Sequence, residues 1–158
     1  MIAVLLGTNP YSFTRLVNQI DGIASDSNIH FYVQLGNTRN IPTYCEYERF
    51  IEHEKLIDML YNSEVVVSHG GFGSICDALM CKKPVVAVPR RPELGESQDF
   101  QEELVRELEA SDRVIGVYDI NQLYSKIQEA CTRKFNYESK NNVSKIINAF
   151  LENQNLFI

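Results

Sequence analysis

Residues 63–89 read SEVVVSHGGFGSICDALMCKKPVVAVP, and the reading of this stretch decides the fold. Val65-Val66-Val67 is a continuous apolar run of the kind that a parallel sheet buries on both faces. It ends in His69-Gly70-Gly71-Phe72-Gly73-Ser74, an apolar helix follows from Ile75 to Met80, and Pro84 opens another strand at Val85 to Val88. A histidine and three glycines therefore stand at the turn where a helix begins. Either that turn is merely tight, or something negatively charged sits on it.

The same alternation extends outward in both directions. Ile2 to Leu6 reads as a strand ended by Gly7-Thr8-Asn9-Pro10, and Phe13, Leu16, Val17, Ile20 and Ile23 keep a helical stripe. His30 to Gln34 is a second strand closed by Gly36-Asn37, Tyr44 to Phe50 a short third, and Leu56, Ile57 and Leu60 mark a helix. Farther on, Phe100, Leu104 and Leu108 line one helix face, and Val114 to Val117 form the next strand. Ile120, Leu123, Ile127 and Cys131 mark another helix, and Val143, Ile146, Ile147, Phe150 and Leu151 a last one over about 140–153. Strands alternating with helices predict an α/β fold, a Rossmann-like parallel sheet with helices on both faces. In such sheets ligands bind beyond the carboxyl ends of the strands. The unusual turns, at Gly7-Thr8, Gly36-Asn37, His69 to Ser74 and Pro89 to Gln98, all follow strands and converge on that edge.

The totals narrow the function classes. With 158 residues the chain reads as a single domain spanning 1–158, long enough to bury a core without disulfides or metal. A net charge of −6 argues against nucleic acid and against direct adhesion to anionic lipid. The four cysteines include no CxxC pair, and they read as buried free thiols of a reducing cytoplasm. No apolar run is long enough for a membrane span, and no charged n-region marks a secreted precursor.

At the central turn, the free amides of a helix start suit phosphate, and Gly70, Gly71 and Gly73 remove side chains that would block its approach. Ser74 can cap the helix or give its hydroxyl to a phosphate oxygen, and His69 can donate to the same group. Asp77 lies three residues on, facing the same mouth, where accepting from the two hydroxyls of a ribose would give a carboxylate its role. Each residue also has a plain reading: a tight turn, a satisfied turn histidine, an acid favoured by the helix dipole. No GK[ST] and no GxGxxG occurs, so neither the P-loop nor the usual dinucleotide fingerprint applies.

S-H-G-G-F-G-S-I-C-D, then K-P-V-V-A-V-P and a glutamine a dozen residues on, resembles the donor-binding signature of GT-B glycosyltransferases that use UDP-sugars. The resemblance is to the family 28 C-terminal domain. Within it, the chain is similar to stand-alone subunits: the catalytic subunit of the eukaryotic dolichol-linked UDP-N-acetylglucosamine transferase and bacterial exopolysaccharide counterparts. V-L-L-G-T-N-P-Y-S-F-T-R-L, V-Q-L-G-N, Y-E-R-F-I, P-R-R and G-E-S-Q-D-F-Q-E-E extend it, in order, over most of the chain. It implies that His69, Ser74 and the amides of Gly71 to Ser74 hold a donor diphosphate, with Gly7-Thr8 facing it across the cleft. It implies further that Asp77 binds the ribose, that Gln101 with Asp99 beside it contacts the sugar, and that Phe50-Ile51 supplies the backbone edge reading uracil. Arg90 and Arg91 are expected either to hold an acidic group of donor or acceptor or to be solvated surface charge. Asp77 stands where the family usually has Glu, and Ser97 and Phe100 stand at apparent histidine positions.

A complete GT-B enzyme has two such domains, and this chain has room for the donor-side one. The resemblance therefore implies a cytoplasmic, inverting, metal-independent transferase subunit acting on a lipid-linked saccharide acceptor. It would be peripheral to the membrane through a membrane-anchored acceptor-domain subunit that also supplies the base. No D-x-D triplet offers metal ligands, and no cofactor beyond the UDP-sugar donor is expected. The helix over about 140–153 and the tail Leu156-Phe157-Ile158 either pack on this domain or dock the partner. The alternative is a non-catalytic nucleotide-sugar-binding or partner-scaffolding α/β module.

Overall fold

The computed structural model describes residues 1–137, so the expected helix at 140–153 and the terminal tail lie outside the described residues. Six strands form one parallel sheet: β1 (Ile2–Leu5), β2 (Phe31–Gln34), β3 (Glu46–Glu48), β4 (Val65–His69), β5 (Val85–Val88) and β6 (Ile115–Gly116). Their order is β3-β2-β1-β4-β5-β6, so the direction of winding reverses between β1 and β4. Among the described residues five α-helices follow the strands or join them: α1 (Thr14–Asp26), α2 (His53–Asn62), α3 (Phe72–Met80), α4 (Glu102–Ala110) and α5 (Leu123–Thr132).

Alternating side chains of the strands feed two cores. Val4, Leu6, Val65, Val67, Val86 and Val88 face α1 and α5. Ala3, Leu5, Val66, Val85 and Ala87 face α2, α3 and α4. This two-sided burial is why the strands read as unbroken apolar runs rather than alternations. The α/β expectation is thus met, with helices on both faces of a parallel sheet.

Some local expectations are corrected. Phe100 lies outside α4 and is 76% exposed; the helix starts at Glu102 and buries Val105 together with the expected Leu108. Cys131 is exposed because Ala130 occupies the buried position of α5, so the thiols are not uniformly buried. Burial and the neighbouring Asp21 carboxylate push the Cys45 thiol up to about 12. The third strand shrinks to an exposed three-residue edge. The sixth is only two residues long, although Val114 and Val117 beside it are buried. Among the described residues no helix is long and apolar enough to cross a membrane.

Two glycines make opposite demands. Gly36, after β2, has φ 57°, and a Cβ there would lie 2.2 Å from the Gly7 carbonyl oxygen. Gly22 lies on the exposed side of α1 with nothing within 4 Å of its Cβ position. Gly36→Ala is expected to lower unfolding free energy by about 2–4 kcal/mol. Gly22→Ala should raise it by about 0.5–1 kcal/mol. Urea midpoints of the two variants against the parent check both signs.

Candidate functional site

A cleft of about 600 Å³ opens at the carboxyl edge of the sheet, at the β1–β4 reversal. The loop after β1 contributes Gly7, Thr8 and Asn9; the segment after β3 contributes Phe50 and Ile51. On the far side stand His69 from the end of β4 and Gly71, Gly73, Ser74 and Asp77 from the turn and first turns of α3. Gln34 and Leu56 complete the lining. A volume of this size suits a small-molecule ligand.

The imidazole of His69 is 8% exposed and sits between two glycines. A Cβ on Gly7 would lie 2.4 Å from its Nε2, and one on Gly71 would lie 1.9 Å from its Cε1. Glycine at both positions is therefore a steric requirement of the ring. The Gly71 amide donates to Nδ1 at 3.0 Å, so the neutral ring carries its proton on Nε2, which lies 3.2 Å from Ser74 Oγ. Burial, and then the positive charge of Arg90, push the His69 pKa down to about 4. At neutral pH His69 is an uncharged donor aimed along the start of α3, not an imidazolium.

Helix α3 has Gly71 at its N-cap, no side-chain cap and no acidic residue in its first turn. Its first backbone bond joins the Ile75 amide to the Gly71 carbonyl at 3.3 Å. The amides of Phe72, Gly73 and Ser74 thus precede the helix's own ladder and carry its positive end. A Cβ at Gly73 would meet nothing within 4 Å, so the approach to these amides is open. Asp77 adds one carboxylate to the same wall. The arrangement can hold an anion at the amides and Nε2–H while the carboxylate accepts hydrogen bonds nearby.

Four expected site residues are placed differently. Gly70 lies beneath the cleft, where a Cβ would meet the Gln101 side chain at 2.7 Å. Gln101 supports the site from behind: its Oε1 accepts from the Arg90 amide at 3.1 Å and its Nε2 lies 3.4 Å from His69 Nδ1. Asp99 is exposed and outside the cleft lining. Arg90 requires a correction, because it is neither a ligand clamp at the cleft surface nor solvated charge.

Arg90 is 2% exposed, and its guanidinium donates to the carbonyls of Tyr11, Glu96 and Leu6 at 3.0, 2.8 and 2.8 Å. It also lies over the Phe13 ring, 4.5 Å from the centroid. Burial pulls its pKa down to about 10, against the Glu96 carboxylate, which raises it, so it remains charged at neutral pH. Glu96 itself is occupied by a bidentate pair with Arg15, both bonds at 2.9 Å, and by the Arg91 amide at 2.9 Å. The sequence reading missed Asn9, Gln34 and Leu56 in the lining and Glu96 behind it. For Gln34 a signal existed: one polar residue at the end of an apolar strand, two before a glycine. Among the described residues no group of three or more His, Cys, Asp or Glu is placed to hold a metal ion.

Residues 1–153 match the glycosyltransferase family 28 C-terminal domain. No curated protein matches the chain in sequence. Among solved structures, the glycosyltransferase SnogD from Streptomyces nogalater is similar with a TM-score of 0.61 and 19% identity, covering 83% of this chain and 34% of its own. The glycotransferase of kitacinnamycin gives 0.62 and 17%, covering 84% and 35%. The E. coli heptosyltransferase WaaC with ADP gives 0.52 and 16%, covering 82% and 44%. At these identities the likeness is one of fold, and this chain spans 34% and 35% of the length of the first two.

The depressed His69 pKa fixes a pH dependence. Between about 6.5 and about 4 the unfolded chain binds a proton that the folded site refuses. The contribution is therefore complete above about 6.5 and is lost as pH falls toward 4. The stability of the parent relative to His69→Gln should fall by roughly 2–4 kcal/mol across that window, as paired denaturation curves at pH 7 and pH 4 would record.

Proposed function

Because this chain belongs to the glycosyltransferase family 28 C-terminal domain family, we propose that it is the donor-binding catalytic subunit of an inverting, metal-independent UDP-sugar glycosyltransferase. One observation carries the reading. The uncapped start of α3, the neutral Nε2–H of His69 and the Ser74 hydroxyl line one open cleft at the strand-order reversal.

In this reading the donor diphosphate lies on the amides of Phe72 to Ser74, with His69 Nε2–H and Ser74 Oγ–H as additional donors. Asp77 takes the ribose hydroxyls. Phe50 and Ile51, on the opposite wall, flank the base. An acceptor hydroxyl attacks the anomeric carbon from the side opposite the diphosphate. The bond from that carbon to the β-phosphate oxygen breaks, its electron pair leaves with UDP, and the configuration inverts. Negative charge then grows on the β-phosphate, where fixed dipoles lower the barrier. His69 suits this role as a neutral donor that supplies a hydrogen bond without giving up its proton. The acceptor's proton passes to a base on the second half of the cleft.

We assign that second half to a membrane-anchored partner subunit that presents a lipid-linked saccharide, as in polysaccharide or glycan biosynthesis. This chain would then work as a cytoplasmic protein held at the membrane through its partner. Support comes from the family and from the similarity to stand-alone subunits seen in the motifs.

A second reading, a nucleotide-sugar-binding scaffold without catalysis, draws on Phe100, which is 76% exposed at an apparent histidine position. Sugar transfer by the reconstituted pair would exclude it.

Thermal unfolding with UDP, UDP-sugars, ADP and GDP tests the donor site. At 100 times Kd a ligand adds about 2.7 kcal/mol, which for this size is a midpoint shift of about 5–10 °C. The expected result is a UDP-selective shift lost in Ser74→Ala and Asp77→Ala. Equal shifts with all three nucleotides, or none with any, would overturn the donor assignment.

A further inference from the structure

Gln34 ends β2 at the carboxyl edge of the sheet and is 7% exposed. Its Oε1 accepts from the Gly7 amide at 2.9 Å. Its Nε2 donates to the Gly7 carbonyl at 3.1 Å and to the Arg49 carbonyl at 3.2 Å. One carboxamide therefore serves both backbone groups of Gly7 and ties them to the residue that precedes Phe50. Both segments line the cleft, across from the start of α3.

The chemistry of these three bonds selects the residue type. One partner is an N–H and two are carbonyls, so the side chain must offer one acceptor and two donors from a planar group. A glutamine or asparagine does so; a carboxylate has no donor and a thioether almost nothing. Asparagine is one methylene shorter from the same Cα. The neighbouring backbone reinforces the junction: the Gly36 amide donates to the Arg49 carbonyl at 2.7 Å, and the Arg49 guanidinium returns bonds to the carbonyls of Gly36 and Thr38 at 3.2 and 3.0 Å.

We propose that Gln34 is a positioning residue, whose carboxamide couples the Gly7 loop to the Arg49–Ile51 segment and so fixes how these two parts of the cleft lie relative to each other, across from α3. It acts through the backbones of Gly7 and Arg49. Gly7 in turn abuts the His69 ring, so a shift of this loop is felt at Nε2 as well. The coupling itself is independent of what the cleft binds. Its effect on affinity rests on the donor-site reading.

Two variants of the full chain test this. Gln34→Met keeps the volume and removes the bonds. Gln34→Glu keeps an acceptor for the Gly7 amide but sets a carboxylate against two carbonyls until it is protonated. Hydrogen exchange of the ligand-free proteins should show the amides of Gly7 and of Gly36, which donates to the Arg49 carbonyl, exchanging at least about tenfold faster in Gln34→Met, with the hydrogen-bonded amides of α3 unchanged. Faster exchange at Gly7 alone, with Gly36 as in the parent, would overturn the coupling.

Calorimetric titration with UDP should show affinity about tenfold weaker in Gln34→Met at pH 7.5. Gln34→Glu should be weaker still at pH 7.5 and recover several-fold by pH 5.5, as its carboxyl gains a proton to donate. The Gln34→Met deficit should stay constant, because His69, with its pKa near 4, stays neutral across that range. Identical pH dependence of the two variants would refute the positioning role. Failure of the parent to bind UDP would overturn the donor reading and leave the exchange result to decide the coupling. If Gln34→Met does not fold, Gln34→Asn replaces it with the same expectations.

Discussion

The pairing of β1 with β4 is the constraint from which the rest of the site follows. The two strands lie side by side and parallel, yet the chain leaves them toward opposite faces: α1 packs in one core and α3 in the other. Their outgoing loops must diverge, and the divergence opens a crevice at the carboxyl edge. His69, the last residue of β4, stands in that crevice against Gly7, which is two past the end of β1. Ring and glycine are thus matched by topology before any ligand is considered. Gly71 completes the fit from the other side, and its amide fixes the tautomer.

Behind the cleft lies a buried polar layer that holds its loops. Arg90 reaches three carbonyls, on Leu6 at the end of the first core run, Tyr11 in the loop after it and Glu96 in the loop after β5. Arg15 from α1 grips Glu96 in turn, and Gln101 links the Arg90 backbone to His69. Arg90 Nε is buried without a partner, but the remaining bonds make the layer rigid, because each member loses several of them if one moves. The precision of the cleft therefore depends on residues that never face it.

What the sequence made legible, and what it did not, divides along this line. The apolar runs Ile2 to Leu6, Val65 to Val67 and Val85 to Val88 announced a two-sided sheet because burial on both faces leaves no polar position in a strand. The glycines around His69 announced a helix start with open amides because only missing side chains make that approach possible. Arg90 was misread because a buried arginine among carbonyls has the same letter as a surface one, and nothing in P-R-R tells them apart. Gln34 and Glu96 went unseen for a related reason: their principal partners lie far along the chain, the backbones of Gly7 and Arg49 for Gln34 and the Arg15 guanidinium for Glu96. Phe100 and Cys131 failed in the opposite way, since each fits a helical spacing by accident while the helix buries its neighbours.

The buried guanidinium of Arg90 also bears on how the protein meets an ionic solution. The molecule as a whole is acidic, at −6, and repels an anion from a distance. Dissolved salt, with a screening length of about 8 Å at physiological strength, weakens that outer repulsion. Counterions have no access to Arg90, which is 2% exposed, and its field reaches His69 strongly enough to depress the ring's pKa. Added salt would therefore weaken the outer repulsion more than it weakens the pull of the buried charge. An anion seated by this cleft would lose less affinity to screening as salt rises than one held by surface lysines.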